Sequence, residues 1–149
     1  MAAEVKIGMI DTQKIMRESK AAKKAREILM KELEGKRAKY KAEEDEARRL
    51  EEEIKREGAS MSPAARQEKA EKLEKELKEL GRLKSDIEEE LRKKDAELTR
   101  KLLQEIYQIV KELTKKEKYS VILEKRYVVT ADEAIDITDK VIRLYDAVK

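Results

Sequence analysis

The sequence predicts an α+β chain that is predominantly helical: a long antiparallel coiled-coil hairpin projecting from a small β-strand oligomerisation body. Three observations predict it. Of 149 residues, 48% are charged and 3% aromatic, a composition that leaves little to bury and, with helical periodicity, marks long helices. Two helix-forming runs flank a single break at Gly58-Ala59-Ser60-Met61-Ser62-Pro63. Dense β-branched and aromatic runs occur near the two chain ends, where strands are therefore expected.

Val5-Lys6-Ile7-Gly8-Met9-Ile10 alternates apolar with charged or small residues, the period-two pattern of a half-buried strand. Asp11-Thr12 then offers an N-cap, because either side chain can accept from the orphan amides of a new helix. The first long helix is expected over residues 13–57, with Ile15, Ala22, Ala25, Leu29, Leu33, Tyr40, Ala47, Leu50 and Ile54 on its apolar side. That spacing loosens between Gly35 and Ala42, where the helix should pack less tightly and is free to bend. At the tip, Ser62-Pro63 reads as N-cap and first helical residue, since proline has no amide to leave unsatisfied there.

The second helix is expected over residues 63–117. Its stripe (Ala70, Leu73, Leu77, Leu80, Ile87, Leu91, then Leu98, Leu102, Ile106, Ile109, Leu113) moves mainly in steps of three and four, the mark of a coiled-coil seam. At about 1.5 Å per residue each arm would be roughly 65–80 Å long. Glu68 with Lys72, Glu71 with Lys75 and Glu74 with Lys78 stand in the favoured Glu-to-Lys order on its outer face.

Beyond Glu117 the residues change character. Tyr119–Glu124 and Arg126–Thr130 read as two strands around a turn near Lys125. A last amphipathic helix starts at Asp136-Ile137-Thr138-Asp139, capped by Asp136 or Thr138, with Val141, Ile142, Leu144, Tyr145 and Val148 as its apolar side. The hairpin should bring the first strand and the last two into one sheet. Residues 4–12 and 118–149 then form the body, and residues 13–117 the arm, with its tip at 58–63. So small a body is marginal alone and calls for association with further copies.

The chemistry that is missing narrows the function. There is no His and no Cys, so neither a near-neutral base nor a thiol nucleophile exists. No phosphate loop of the G-x-x-x-x-G-K-[ST] type is present, so the chain is not expected to be an enzyme, to use ATP or to carry a cofactor. The acidic runs Glu43-Glu44-Asp45-Glu46 and Glu51-Glu52-Glu53 point around a helix axis and do not converge on a metal. Net charge is +3, from 37 cations and 34 anions. Residues 14–57 hold 15 cations against 12 anions and residues 63–118 hold 16 against 14, so the excess sits on the hairpin. It favours diffuse anionic partners and is screened by salt. Basic clusters such as Lys36-Arg37 and Arg92-Lys93-Lys94 lack interleaved aromatics, so no nucleic-acid partner is expected. No stretch is apolar enough to span a bilayer. Met1-Ala2-Ala3-Glu4 lacks a signal-peptide core, which implies a cytosolic chain or one that begins near a mature N-terminus.

The segments KIGMIDTQKIM and YSVILEKRYVVTADEAIDITDKVIRLYD resemble the opening and ending of the Skp/OmpH family of periplasmic chaperones, with the family's DIT triplet at Asp136-Ile137-Thr138 followed by Val141. The layout resembles the family over the whole chain, while the specific residues lie at its two ends. The resemblance implies a periplasmic homotrimer shaped like a jellyfish, in which helical arms surround a cavity and hold unfolded outer-membrane proteins without ATP. It also implies weak contact with an anionic membrane surface. Trimer-forming residues would then be Val5, Ile7 and Met9 with Val121, Ile122, Leu123, Tyr127, Val128 and Val129.

Holding a client of no fixed shape needs weak, adaptable contacts, to which unbranched Met is suited. Met16, Met30, Tyr40 and Leu103 on the arms and Met61 at the tip are the client-binding candidates. Ordinary coiled-coil packing is the competing explanation for Met30 and Leu103, as is covering the turn for Met61. Two other functions compete: a structural coiled-coil spacer or adaptor, and a prefoldin-like holdase, whose order of strands and helix ends is the reverse of this one.

Overall fold

The computed structural model describes residues 4–148. The leader reading at Met1-Ala2-Ala3 and the final Lys149 lie outside the described residues. In chain order the elements are β1 (Ile7–Ile10), α1 (Thr12–Glu18), α2 (Lys20–Glu57), α3 (Pro63–Lys116), β2 (Val121–Glu124) and α4 (Thr138–Val148). Single 3₁₀ turns occupy Gly58–Ser60, Lys125–Tyr127 and Glu133–Ile135. The chain divides into two compact units, residues 1–29 with 95–149, and residues 30–94.

The first unit is built on one apolar core. Ile15, Leu102, Ile106, Leu113, Val141 and Tyr145 meet there with Ile10 and Ala22, and Ile15, Ile106, Val141 and Tyr145 are fully buried. The contributions of α3 recur at three and four residues, which keeps them on one helical face. Tyr145 brings a hydroxyl into this core and donates it to Glu105 at 2.5 Å. Burial and the adjacent carboxylate push its ionisation well above the ordinary value. The roots of both long helices belong to this core, although the sequence reading assigned them to the arm.

The sheet has two parallel strands, with Ile7 opposite Val121, Gly8 opposite Ile122, Met9 opposite Leu123 and Ile10 opposite Glu124. The predicted first strand loses Val5 and Lys6, which precede β1. The predicted strand over Arg126–Thr130 does not form: Lys125–Tyr127 makes a 3₁₀ turn, closed by the Val128 amide on the Lys125 carbonyl at 3.0 Å, and an irregular segment follows. Beside β1 lies instead the short stretch at Asp136, where Ile137 donates to the Met9 carbonyl at 2.8 Å. β-Branched composition alone does not make a strand, since Arg126–Thr130 stays unpaired among the described residues although β2 has a free edge.

A second correction concerns the first long helix, which breaks at Ser19. This residue takes an extended conformation (φ −65°, ψ 142°) and is fully buried. Its amide donates to Ile15 and its hydroxyl accepts from Ala22 at 3.2 Å, so Ser19 closes α1 and caps α2. Between Gly35 and Ala42, where looser packing was expected, α2 is continuous and its residues are exposed except Tyr40. Asp11 is the N-cap of α1, accepting from Lys14 at 3.0 Å. In the last helix Val141 donates to the Ile137 carbonyl, while Asp136 holds the Thr138 amide at 2.9 Å.

The second unit is an antiparallel helix pair. Glu32 pairs with Lys94 at 2.9 Å, Lys36 with Glu90, and Glu53 with Lys69; the partner moves back along α3 as the position advances along α2. Leu33, Ala47, Leu50 and Leu80 are buried between them. Leu77 is off the seam, 53% exposed, contrary to its place in the predicted stripe. Ala70 is exposed as well. At the tip, Ser62 accepts the Ala65 amide at 3.2 Å and Arg66 donates to the Gly58 carbonyl at 2.5 Å, so the chain reverses as the sequence requires. Of the three predicted outer pairs, Glu74–Lys78 forms, at 3.3 Å.

Candidate functional site

The sheet presents a candidate association surface because α3 ends abruptly. Lys118 takes a left-handed conformation (φ 57°), and the Tyr119 amide returns to the Thr114 carbonyl at 3.0 Å. That is a Schellman closure, in which glycine is usual. It sends β2 off beside β1. Lys6 fastens the junction: its backbone pairs with Ser120, its ammonium donates to the Glu117 carbonyl at 3.0 Å, and it lies 4.3 Å from the Tyr119 ring centre. Lys140 also donates to the Glu117 side chain, which holds that carboxyl below its ordinary value. Gly8 lets these side chains pack close at the junction, where a Cβ would meet Ile137 at 3.0 Å and the Tyr119 ring at 3.1 Å.

Successive strand residues point to opposite faces. Ile10 and Ile122 contribute to the core. Ile7, Val121 and Leu123, on the other face, are 40%, 40% and 38% exposed. Met9 shares their alternation but is buried within its own chain. Val5, Tyr127 and Val129 are exposed near the strands, Val129 completely, and Val128 is half-buried. Among the described residues β2 pairs with β1 alone, so its other edge is unpaired. An apolar face beside an open edge is a template for another chain.

The client-binding candidates are divided between the two units. Met16 packs against the core of the first unit, and Leu103 is half-buried in that unit. Met30 is 41% exposed in the second unit, where Met61 is half-buried at the tip. Tyr40 lines a shallow hollow of about 190 Å³ with Ile87, Arg37 and Lys84. Sequence reasoning missed Ile28 and Tyr107, exposed at 52% and 54%. Each directly adjoins a buried stripe residue, Leu29 or Ile106, and such an extra apolar neighbour is the signal that would have found them. Among the described residues, no group of acidic side chains could hold a metal ion, and no helix is long and apolar enough to cross a membrane.

Comparison with known proteins agrees with this architecture. The family model described as "Outer membrane protein (OmpH-like)" matches residues 6–145. An uncharacterized protein of Aquifex aeolicus (strain VF5) is 32% identical over 139 residues, covering 92% of this chain and 83% of that relative. The fold is similar to a crystal structure of a candidate outer membrane chaperone (OmpH-like) from Caulobacter crescentus CB15, with a TM-score of 0.83 at 18% identity, covering 100% of this chain and 88% of that one. The chain belongs to the OmpH-like outer membrane protein family.

Proposed function

We propose that the protein is an ATP-independent holdase of the periplasm, which associates as a homotrimer and encloses unfolded outer-membrane proteins between its helical arms. Family membership supports a chaperone role. The observation that carries the reading is the pairing of an apolar sheet face at an open edge (Ile7, Val121, Leu123) with isolated apolar side chains on otherwise charged arms, such as Met30 and Leu77. The first would join copies; the second would touch a client weakly at many points. Arms gathered around one space raise the effective concentration of each contact. Weak contact with an anionic membrane surface fits the small positive excess of the arms.

The test is to dilute a urea-denatured outer-membrane β-barrel protein into buffer without nucleotide and follow turbidity, while sedimentation gives the mass of the assembly. A trimer that suppresses aggregation at near-equimolar ratio is expected. A dimer without such activity would establish the second reading, a coiled-coil spacer, which the outward Leu77 favours because a partner helix could pack over it.

A further inference from the structure

We propose that a groove in the first unit, between the start of α2, α3 and the end of α4, binds polypeptide segments in which apolar side chains are flanked by carboxylates. The groove holds about 440 Å³. Its floor is apolar and low, with Ala21 and Ala25 one turn apart on α2 and Leu98 facing them from α3. Lys20, Lys24 and Lys101 stand on its rim, all exposed. None of the three has an ion-pair partner among the described residues.

The acids of the same groove are engaged inside the fold. Asp146 accepts the Ala21 amide at 3.1 Å, and Glu105 accepts the Tyr145 hydroxyl at 2.5 Å. The rim therefore offers unpaired positive charge, although the chain as a whole is nearly balanced. The lysines are also badly placed for stability. Lys20 and Lys24 repel each other at i, i+4. They crowd the first turns of a helix that has no acid in its first turn, where the helix dipole disfavours cations. A ligand with apolar and anionic groups would relieve both defects, and an unfolded chain presents such groups side by side. The inference rests on the holdase reading and adds a preference to it.

Short labelled peptides of alternating leucine and glutamate, leucine and lysine, and serine and glutamate would be titrated with the full chain, followed by fluorescence anisotropy. The leucine–glutamate peptide should bind about tenfold more tightly than either control at low salt, as expected for three exposed ion pairs over an apolar floor. The triple change Lys20→Glu, Lys24→Glu, Lys101→Glu should remove that margin, with helical circular dichroism retained. Ile28→Ser, at the groove edge, should weaken binding without touching charge. Equal binding of all three peptides, an unaffected triple variant, or displacement only by phosphatidylglycerol vesicles would overturn the proposal. If the protein suppresses aggregation of the barrel client but shows no peptide preference, this inference fails and the holdase reading stands. If it shows the preference without suppressing aggregation, the reverse holds.

Discussion

Glu124 closes the first turn of α1 from the far end of the chain: one carboxylate oxygen accepts the Thr12 amide at 3.1 Å and the other accepts the Thr12 hydroxyl. The last residue of β2 thereby satisfies the donors of the helix that follows β1. The charge also lies at a helix N-terminus, where the dipole favours it. Replacing Glu124 by Ala leaves a part-buried amide and hydroxyl without that acceptor. We expect a loss of about 1–2 kcal/mol, read as a lower thermal midpoint, with Glu124→Gln intermediate because it keeps one acceptor.

Lys118 makes the opposite prediction. Its φ of 57° costs a residue with a Cβ about 1 kcal/mol, which glycine does not incur. Lys118→Gly should raise the unfolding free energy by about 0.5–1 kcal/mol, read as a higher urea midpoint, while preserving the α3 closure. An unchanged or lower midpoint would show that the Lys118 side chain contributes more than its backbone costs.

Acid should loosen the junction of the chain ends. Glu117 is held below its ordinary value of 4.5 by the Lys140 hydrogen bond. Burial opposes ionisation of Asp136, but the hydroxyl and amide of Thr138, helped by Lys125, outweigh it and hold the group below 3.8. Both carboxyls are more acidic folded than unfolded, so each stabilises the fold above its unfolded value and loses that contribution as pH falls through its folded value. Unfolding midpoints measured from pH 7 downward should therefore hold until about pH 4–5 and then fall. Glu117→Gln and Asp136→Asn together should flatten the drop.

Two neighbours in β2 separate association from folding. Val121 faces outward and Ile122 packs on the core. Val121→Asp should lower the sedimenting mass with helix content intact, since an exposed change away from the core alters stability by under about 0.5 kcal/mol. Ile122→Asp places a carboxylate against the core and should unfold the first unit, at a cost of about 2–4 kcal/mol. An unchanged mass for Val121→Asp would remove the outer face from the proposed interface.

Much of this architecture was legible without coordinates, for local reasons. Ser62-Pro63 had to start α3 and Asp11-Thr12 had to supply the cap of α1, because each depends on backbone groups within four residues. The stripe from Leu98 to Leu113 had to face a core, because helical periodicity fixes which residues share a face. The seam around Leu77 was less legible, since a run of leucines with mixed three- and four-residue steps admits two neighbouring registers. Only the facing helix, with Leu33, Ala47 and Leu50, selects one.

What the chain alone determined was where it is helical, where it reverses and that its apolar ends belong together; these follow from spacing, capping and composition. The tertiary structure decided the rest. It set the parallel pairing of β1 and β2, the break at Ser19, the failure of Arg126–Thr130 to form a strand, and the grouping of Lys20, Lys24 and Lys101 over one groove. Each depends on which partner edge or neighbouring helix is within reach, and that is settled by contacts between residues far apart in the chain.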